Sequence, residues 1–362
     1  MNIPKGDLTM ALMNEQSAAM TTLLSQLPKV DLHVHLDGSI KPETIRELAI
    51  EQGNPLQIDS EPELLSHMQV GETCESLKEY LDKFGFVLPY LQTGAALERV
   101  AYELVEQAAN EKVSYIEVRF APQLHRMQGL SNHDVIEHVL NGLKRGEQAF
   151  GTIARAIIIC MRHHSYALNT DVVQEAARFY KKGVVAVDLA GDEAGFPAKL
   201  FLQLFEEAQQ LRLPITIHAG EAAGAENVRV AITGLGAVRI GHGVRMLEDP
   251  EVVALVRERQ IPLEMCPLSN IQTKAVASWD AYPIRRYLDD GIVVTVNTDN
   301  RTVSDTTIQK EYVLLAEHCG LTMNDIAKIV MNGAKAAFLE EAEKRLLIAN
   351  METEWAAKGF LV

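Results

Sequence analysis

The sequence predicts an α/β protein built as a closed (β/α)8 TIM barrel. Three observations carry this. Eight short apolar runs rich in β-branched residues recur along the chain, and such runs read as buried strands. Helical patterns separate them, the alternation expected of a parallel sheet. At 362 residues the chain has the length of one barrel with insertions. A doubly wound open sheet is the alternative, weakened because no Gly-rich dinucleotide loop follows the first run.

The strand runs fall at 29–35, 114–120, 154–160, 184–189, 214–218, 237–241, 261–266 and 292–297. Helical periodicity covers 93–110, 134–148, 172–182, 197–211, 250–260 and 282–290. The long interval between the first two runs holds helical stretches at 42–52, 61–68 and 76–88. Such an insertion sits over the C-terminal mouth, where barrels of this kind keep their active sites, so it reads as a lid or pocket wall. Extra C-terminal helices are expected at 306–318, 324–331 and 334–349. No linker, low-complexity tract or internal repeat interrupts this order. Residues 1–26 read as an N-terminal arm, flexible or a short helix. Residues 27–350 read as a single domain, and 351–362 as a C-terminal tail.

Composition narrows the partners. Hydrophobic residues make up 47%, enough for a large core. A net charge of −15 argues against nucleic acid and anionic membranes, because both repel an acidic surface. Cys74, Cys160, Cys266 and Cys319 are far apart and form no CxxC pair, so free thiols in a reducing compartment are expected. Cys160 and Cys266 lie in apolar runs and read as small buried hydrophobes. No stretch approaches the ~20 apolar residues of a membrane span. The first twenty residues make a poor signal peptide, and the expected location is cytoplasmic. The oligomeric state stays open.

Five residues at or just past strand ends point to one metal centre. They are His33 and His35 in VDLHVHLDGS, His218 in ITIHAGEAAG, His242 in RIGHGV and Asp299 in VVTVNTDN. His33 and His35 are two apart, so both face the same side of a strand. A lone buried histidine is usually a satisfied core residue, but each of a pair on one face needs its own partner. Asp299 ends so apolar a run that it requires a cation or several donors; a helix N-cap is its bland alternative. Imidazoles and a carboxylate converging in this way predict a catalytic divalent metal, one zinc ion.

Glu221 follows His218, Ala219 and Gly220. The glycine lets the chain turn back over the mouth. A carboxyl there, partly dry and near a metal, can hold a proton at neutral pH and act as a general acid. A helix-capping surface glutamate is the alternative. His242 reads as a group that orients or deprotonates water, or else as an inert rim histidine.

The segments HVHLDGSIKPETI, DLAGDE, HAGEAAG, RIGHGV, CPLSNIQT and NTDN, in this order, resemble the adenosine deaminase family of the amidohydrolase superfamily. The resemblance runs from about Leu27 to about Leu347. It implies that His33, His35, His218 and Asp299 bind one zinc. Glu221 would protonate N1 of a purine, and His242 would position the attacking water. Asp37 would bind the ribose 5′-hydroxyl, with the Gly191 N–H reaching N3 and His35 also facing the substrate. DLAGDE lacks the lysine that bridges two metals in binuclear relatives. The implied reaction is hydrolytic deamination of adenosine and 2′-deoxyadenosine to inosine or 2′-deoxyinosine and ammonia, in purine salvage.

One position departs from the family pattern. Well-known members follow the zinc aspartate with a second aspartate that contacts N7; here it is Asn300. An amide donates at any pH, whereas an aspartate must first be protonated. Relatives acting on adenine or other adenine-bearing compounds are expected to carry HLEG where this chain has HLDG, and the shorter Asp37 favours the nucleoside. A non-catalytic nucleoside-binding relative is disfavoured, since every ligand position and Glu221 are present. His163 and His164 read as a solvent-facing pair, and His67, His125, His133, His138 and His318 as surface residues. Ser269, Asn270 and Gln272 read as shaping the mouth. Phe84, Phe86 and Leu88 read as lid cover or core.

Overall fold

Parallel strands alternate with helices along the chain, and a computed structural model describes residues 18–71 and 74–360. β1 (Lys29–His35), β2 (Val113–Phe120), β3 (Ile153–Met161) and β4 (Val184–Ala190) pair in order in one parallel sheet. β5 (Thr216–Ala219), β6 (Arg239–His242), β7 (Leu263–Met265) and β8 (Val294–Val296) form a second. The ladders are interrupted at two seams. One bridge crosses each: Val187 of β4 with Ile215, and Val34 of β1 with Asp299 beyond β8. The circuit from β1 through β8 back to β1 is that of a (β/α)8 barrel.

Strands in the second half are shorter than their apolar runs. Pro214 and Pro262 explain two of them, since proline cannot donate to a ladder. Each offers only its carbonyl, to Val187 and Ile240 respectively, both at 3.0 Å. Two helices, Ala225–Thr233 and Pro267–Gln272, lie outside the sequence reading. Their N-caps, Gly224 and Cys266, bring no capping side chain, and the one local start signal is Pro267 at the head of the second.

The insertion between β1 and β2 is helical at Pro42–Glu51, Glu61–Met68, Leu77–Asp82 and Phe84–Val87. The stretch expected at 76–88 is thus broken at Lys83. The C-terminal end also differs from expectation. The helix expected at 334–349 is interrupted between Met323–Ala336 and Glu341–Ala356. Phe338 causes the break: its N–H donates to Glu117 Oε1 at 2.6 Å, and its ring lies 3.7 Å from the Arg239 guanidinium. The chain leaves the helix here to plug the barrel floor. The tail expected from 351 is helical to Ala356 and packed, with Trp355 fully buried and its Nε1 donating to Pro28 O at 3.0 Å. Of the N-terminal arm, 1–17 lie outside the described residues; 18–24 are helical and Leu24 is fully buried. Among the described residues no helix is long and apolar enough to cross a membrane.

Lys29 opens β1 fully buried. Its Nζ donates to Leu24 O at 2.6 Å and Leu27 O at 2.7 Å, a pair of bonds that a neutral amine can make. Burial, assisted by nearby Lys112, pulls its pKa from 10.5 to about 7. Between these values the unfolded chain binds more protons than the folded one, so stability rises with pH. From pH 7 to 9 the wild type should gain about 2 kcal/mol more than Lys29→Met. Urea denaturation of both proteins at the two pH values measures this, and parallel slopes would refute it.

Candidate active site

The C-terminal ends of the strands surround a cavity of about 750 Å³ whose lining includes His35, Asp37, Gly191, Glu221, His242 and Asn300. Ser76, Tyr80, Phe84 and Leu88 from the insertion form part of its wall. Phe86 instead stacks on His67 at 5.0 Å.

His33, His35, His218 and Asp299 meet at the cavity floor, each offering one ligand atom within 4.8 Å of the others. His35 Nε2 lies 3.2 Å from His218 Nε2 and 3.3 Å from Asp299 Oδ1. His33 Nε2 lies 3.5 Å from the same oxygen. Ligands at tetrahedral corners ~2.0–2.1 Å from zinc stand about 3.3 Å apart, so the spacing suits that ion. His33 Nε2 is buried and has no hydrogen-bond partner, as a ligand atom awaiting a cation would be. Burial, strengthened by neighbouring imidazoles, holds His35 and His218 below the usual histidine range, which leaves their lone pairs free. Burial also opposes charge on His33, but Asp299 and Glu264 outweigh it and raise its pKa. A site that favours a proton there favours a metal cation for the same reason.

A buried ionic layer aims these rings. His33 Nδ1 donates to Glu264 Oε2 at 2.9 Å, and His218 Nδ1 to Asp188 Oδ2 at 2.9 Å. Arg119 joins both carboxylates, at 2.7 Å to Glu264 and 2.8 Å to Asp188. Glu264 Oε1 also accepts from Arg239 Nε at 2.7 Å and Thr216 Oγ1 at 2.9 Å. Burial alone would raise Asp188, but His218 and Arg119 hold it well below the carboxylate range. With each Nδ1 engaged, Nε2 is left to the cavity.

Backbone geometry presents the remaining groups. Asp299 has φ +59 and His242 φ +63, conformations that side chains other than glycine adopt at a cost and that concentrate in functional sites. Asp299 N–H donates to His33 O at 2.8 Å and its carbonyl accepts from His35 N–H at 2.7 Å, so the seam between first and last strands is made of ligand residues. Ser269 Oγ donates to Asp299 Oδ2 at 2.6 Å. Tyr282 OH donates to Asn270 Oδ1 at 3.2 Å, which turns the Asn270 amide N–H toward His242 Nδ1 at 2.9 Å. His242 Nε2 then faces Glu221 Oε2 at 3.6 Å.

Glu221 is 5% exposed. Burial first, then the Asp299 and Glu193 carboxylates, push its pKa well above the usual carboxylate range, the direction a proton donor requires. Burial raises Asp37 to about 6. Gly38 is fixed by sterics, because a Cβ there would lie 1.8 Å from Asn300 Oδ1. That oxygen is buried and unpartnered. Cys266 also abuts His33, His242 and Asp299, but burial and Asp299 push its thiol well above the usual range, so it packs as a protonated group.

The adenosine deaminase family profile matches residues 28–354. An adenosine deaminase of Enterococcus faecalis is 45% identical over 322 residues, 89% of this chain and 95% of the relative. The chain belongs to the adenosine deaminase family. It is an enzyme, and its activity is deamination of adenosine. Solved structures agree on the fold. An adenine deaminase from Arthrobacter aurescens superposes with TM-score 0.83 at 27% identity, covering 91% of this chain and 99% of its own. An amidohydrolase from B. ambifaria, with bound Zn, gives TM-score 0.85 at 25% identity and covers 93% of each chain.

Every residue given a ligand, catalytic or substrate-binding part in the sequence analysis lies at this cavity or its floor. Several others were missed. Arg119, Asp188 and Glu264 lie inside apolar strands, where charged residues among apolar neighbours, Glu117 and Arg119 in one strand and a single carboxylate in each of the others, are the available signal. Asn270 and Ser269 were read only as shaping the mouth. His125 was expected at the surface but is fully buried, its Nδ1 bonded to Leu91 O at 3.1 Å beneath the insertion. His163 is exposed and lines the cavity mouth.

If the ionic layer aims the ligands, Asp188→Asn should weaken metal binding by about 10- to 100-fold. Competition with a chromophoric chelator measures it; unchanged affinity would remove Asp188 from the site.

Proposed function

We propose that this family member deaminates adenosine and 2′-deoxyadenosine hydrolytically with one zinc ion held by His33, His35, His218 and Asp299, producing the 6-oxo nucleoside and ammonia. The observation that carries the reading is the placement of Glu221. A nearly dry carboxyl, whose pKa burial raises, stands beside His242 at the mouth of a three-imidazole, one-carboxylate metal group. When bound, zinc supplies the Lewis acidity that activates water at neutral pH.

The chain's own groups do the rest. Attack at C6 pushes electrons onto N1, and Glu221 delivers its proton there. His242 Nε2, fixed by Asn270 and Tyr282, orients the attacking water. The tetrahedral carbon then expels ammonia as the proton of its new hydroxyl passes to the departing amino group, and the other proton of the attacking water restores Glu221. Gly191, at φ +104 on the cavity wall, offers its N–H to N3. Asn300 lines the cavity with Oδ1 turned into Gly38, which leaves its amide N–H to donate to N7. Asp37 binds the 5′-hydroxyl. Free buried cysteines fit a reducing cytoplasm.

Purified protein should release ammonia from adenosine, lose that activity to a chelator and regain it with zinc. A zinc-loaded protein inactive on adenosine but active on adenine or AMP would sink the assignment. Asp37→Ala should lower kcat/KM for adenosine by about 10- to 100-fold, the worth of a hydrogen bond to a charged group, while sparing adenine. Equal losses on the two substrates would remove Asp37 from ribose recognition.

A further inference from the structure

Glu193 is a fully enclosed carboxylate that no step above employs. It lies three residues beyond β4, and the loop after β5 is wrapped around it. Four consecutive backbone N–H groups converge on its two oxygens: Gly220 at 2.7 Å, Glu221 at 3.0 Å, Ala222 at 2.8 Å and Ala223 at 2.9 Å. Asn227 Nδ2 adds a fifth donor at 3.2 Å. Glu193 is 1% exposed. The concavity is an anion nest, made possible by Gly220 at φ +70. It is not a helix cap, because the four residues precede the helix Ala225–Thr233.

The other side of the same loop is held through its carbonyls. Arg245 N–H donates to Gly220 O at 2.9 Å, and Arg245 Nη1 donates to Ala222 O at 2.7 Å. The backbone of Glu221 is therefore gripped between an acceptor inside the barrel rim and a donor outside it. Glu221 itself lines the cavity.

We propose that Glu193 is a positioning residue for proton delivery: by gathering the N–H groups of 220–223 it fixes the direction in which the Glu221 carboxyl points. The inference rests on the deaminase reading. The reason for a carboxylate is stoichiometric. Only an anion with two oxygens accepts five N–H bonds without presenting a hydrogen of its own. A glutamine would turn an NH2 group toward N–H donors and release part of the loop.

The test is Glu193→Gln in the zinc-loaded protein. Expected is a fall in kcat of about 10²-fold, the cost of misplacing a reacting group by about 1 Å. KM for adenosine, zinc content and melting temperature should stay near wild type. Affinity for a tetrahedral mimic, 1,6-dihydro-6-hydroxypurine ribonucleoside, should fall in the same proportion as kcat/KM, because the mimic carries the proton on N1. Wild-type kcat overturns the proposal, as does an activity loss fully explained by lost zinc or unfolded chain. Amide hydrogen exchange at residues 220–223 gives a readout independent of turnover: protection should drop in the variant, and unchanged protection refutes the clamp. A wild type that releases no ammonia from adenosine would sink the deaminase reading, with the exchange result still deciding the clamp. Should Glu193→Gln fail to fold, Glu193→Asp keeps the charge but withdraws it by one methylene. A lowered kcat with intact zinc is expected of it, and wild-type kcat overturns the proposal.

Discussion

A guanidinium sealed inside the barrel organises the centre. Arg119 lies between Asp188 and Glu264, and the carboxylate oxygen it reaches on each, Asp188 Oδ2 and Glu264 Oε2, also accepts an imidazole N–H. Without the cation, two buried negative charges would face each other at the base of the site. With it, both can be deprotonated and both can accept. His33 and His218 are thereby locked in one tautomer and one orientation, with Nε2 toward the cavity. A buried network of this kind is weak evidence for stability, since its desolvation cost is large. Its value here is orientation: a ring free to rotate would present the wrong nitrogen.

The backbone imposes a second constraint at the same place. Asp299 gives its carboxylate to the ligand group, while its N–H and carbonyl bond to His33 and His35 across the last seam of the barrel. Two requirements, closing the barrel and assembling the ligands, are met by one short segment. Such a segment cannot drift without parting strands. This is how Asp299 and His242 persist at positive φ, where a side chain costs roughly 1–3 kcal/mol. Ser269 and Asn270, neighbours on one short helix, brace each of them in turn.

Substrate choice lies above this frame. A structural relative named as an adenine deaminase shares the fold with TM-score 0.83. The fold therefore does not select the substrate; side chains on the cavity wall do. Asp37 stands at the end of the first strand, and Asn300 packs so tightly on Gly38 that the glycine cannot be replaced without moving the amide. Tyr80, from the insertion, adds a hydroxyl bonded to Ser304 at 2.6 Å. The insertion is thus tied to the loop that carries Asn300.

Much of this was legible along the chain. The alternation of His33 and His35, the turn glycine before Glu221, and the carboxylate ending an apolar run are local signals, because strand period and turn chemistry are local properties. They made the barrel legible and named the residues that meet at its mouth, among them His33, His35, His218, Asp299 and Glu221. Boundaries failed where a distant partner decided them. Phe338 leaves a helix because Glu117 and Arg239 await it on the barrel floor, and Trp355 is buried because Pro28 accepts its N–H. The pairing of Arg119 with Glu264 spans 145 positions, and Glu193 reaches a loop 27 to 30 positions away. Sequence spacing carries no record of such partners, since they depend on the register in which eight strands close; only the tertiary structure decided which buried charge would face which donor.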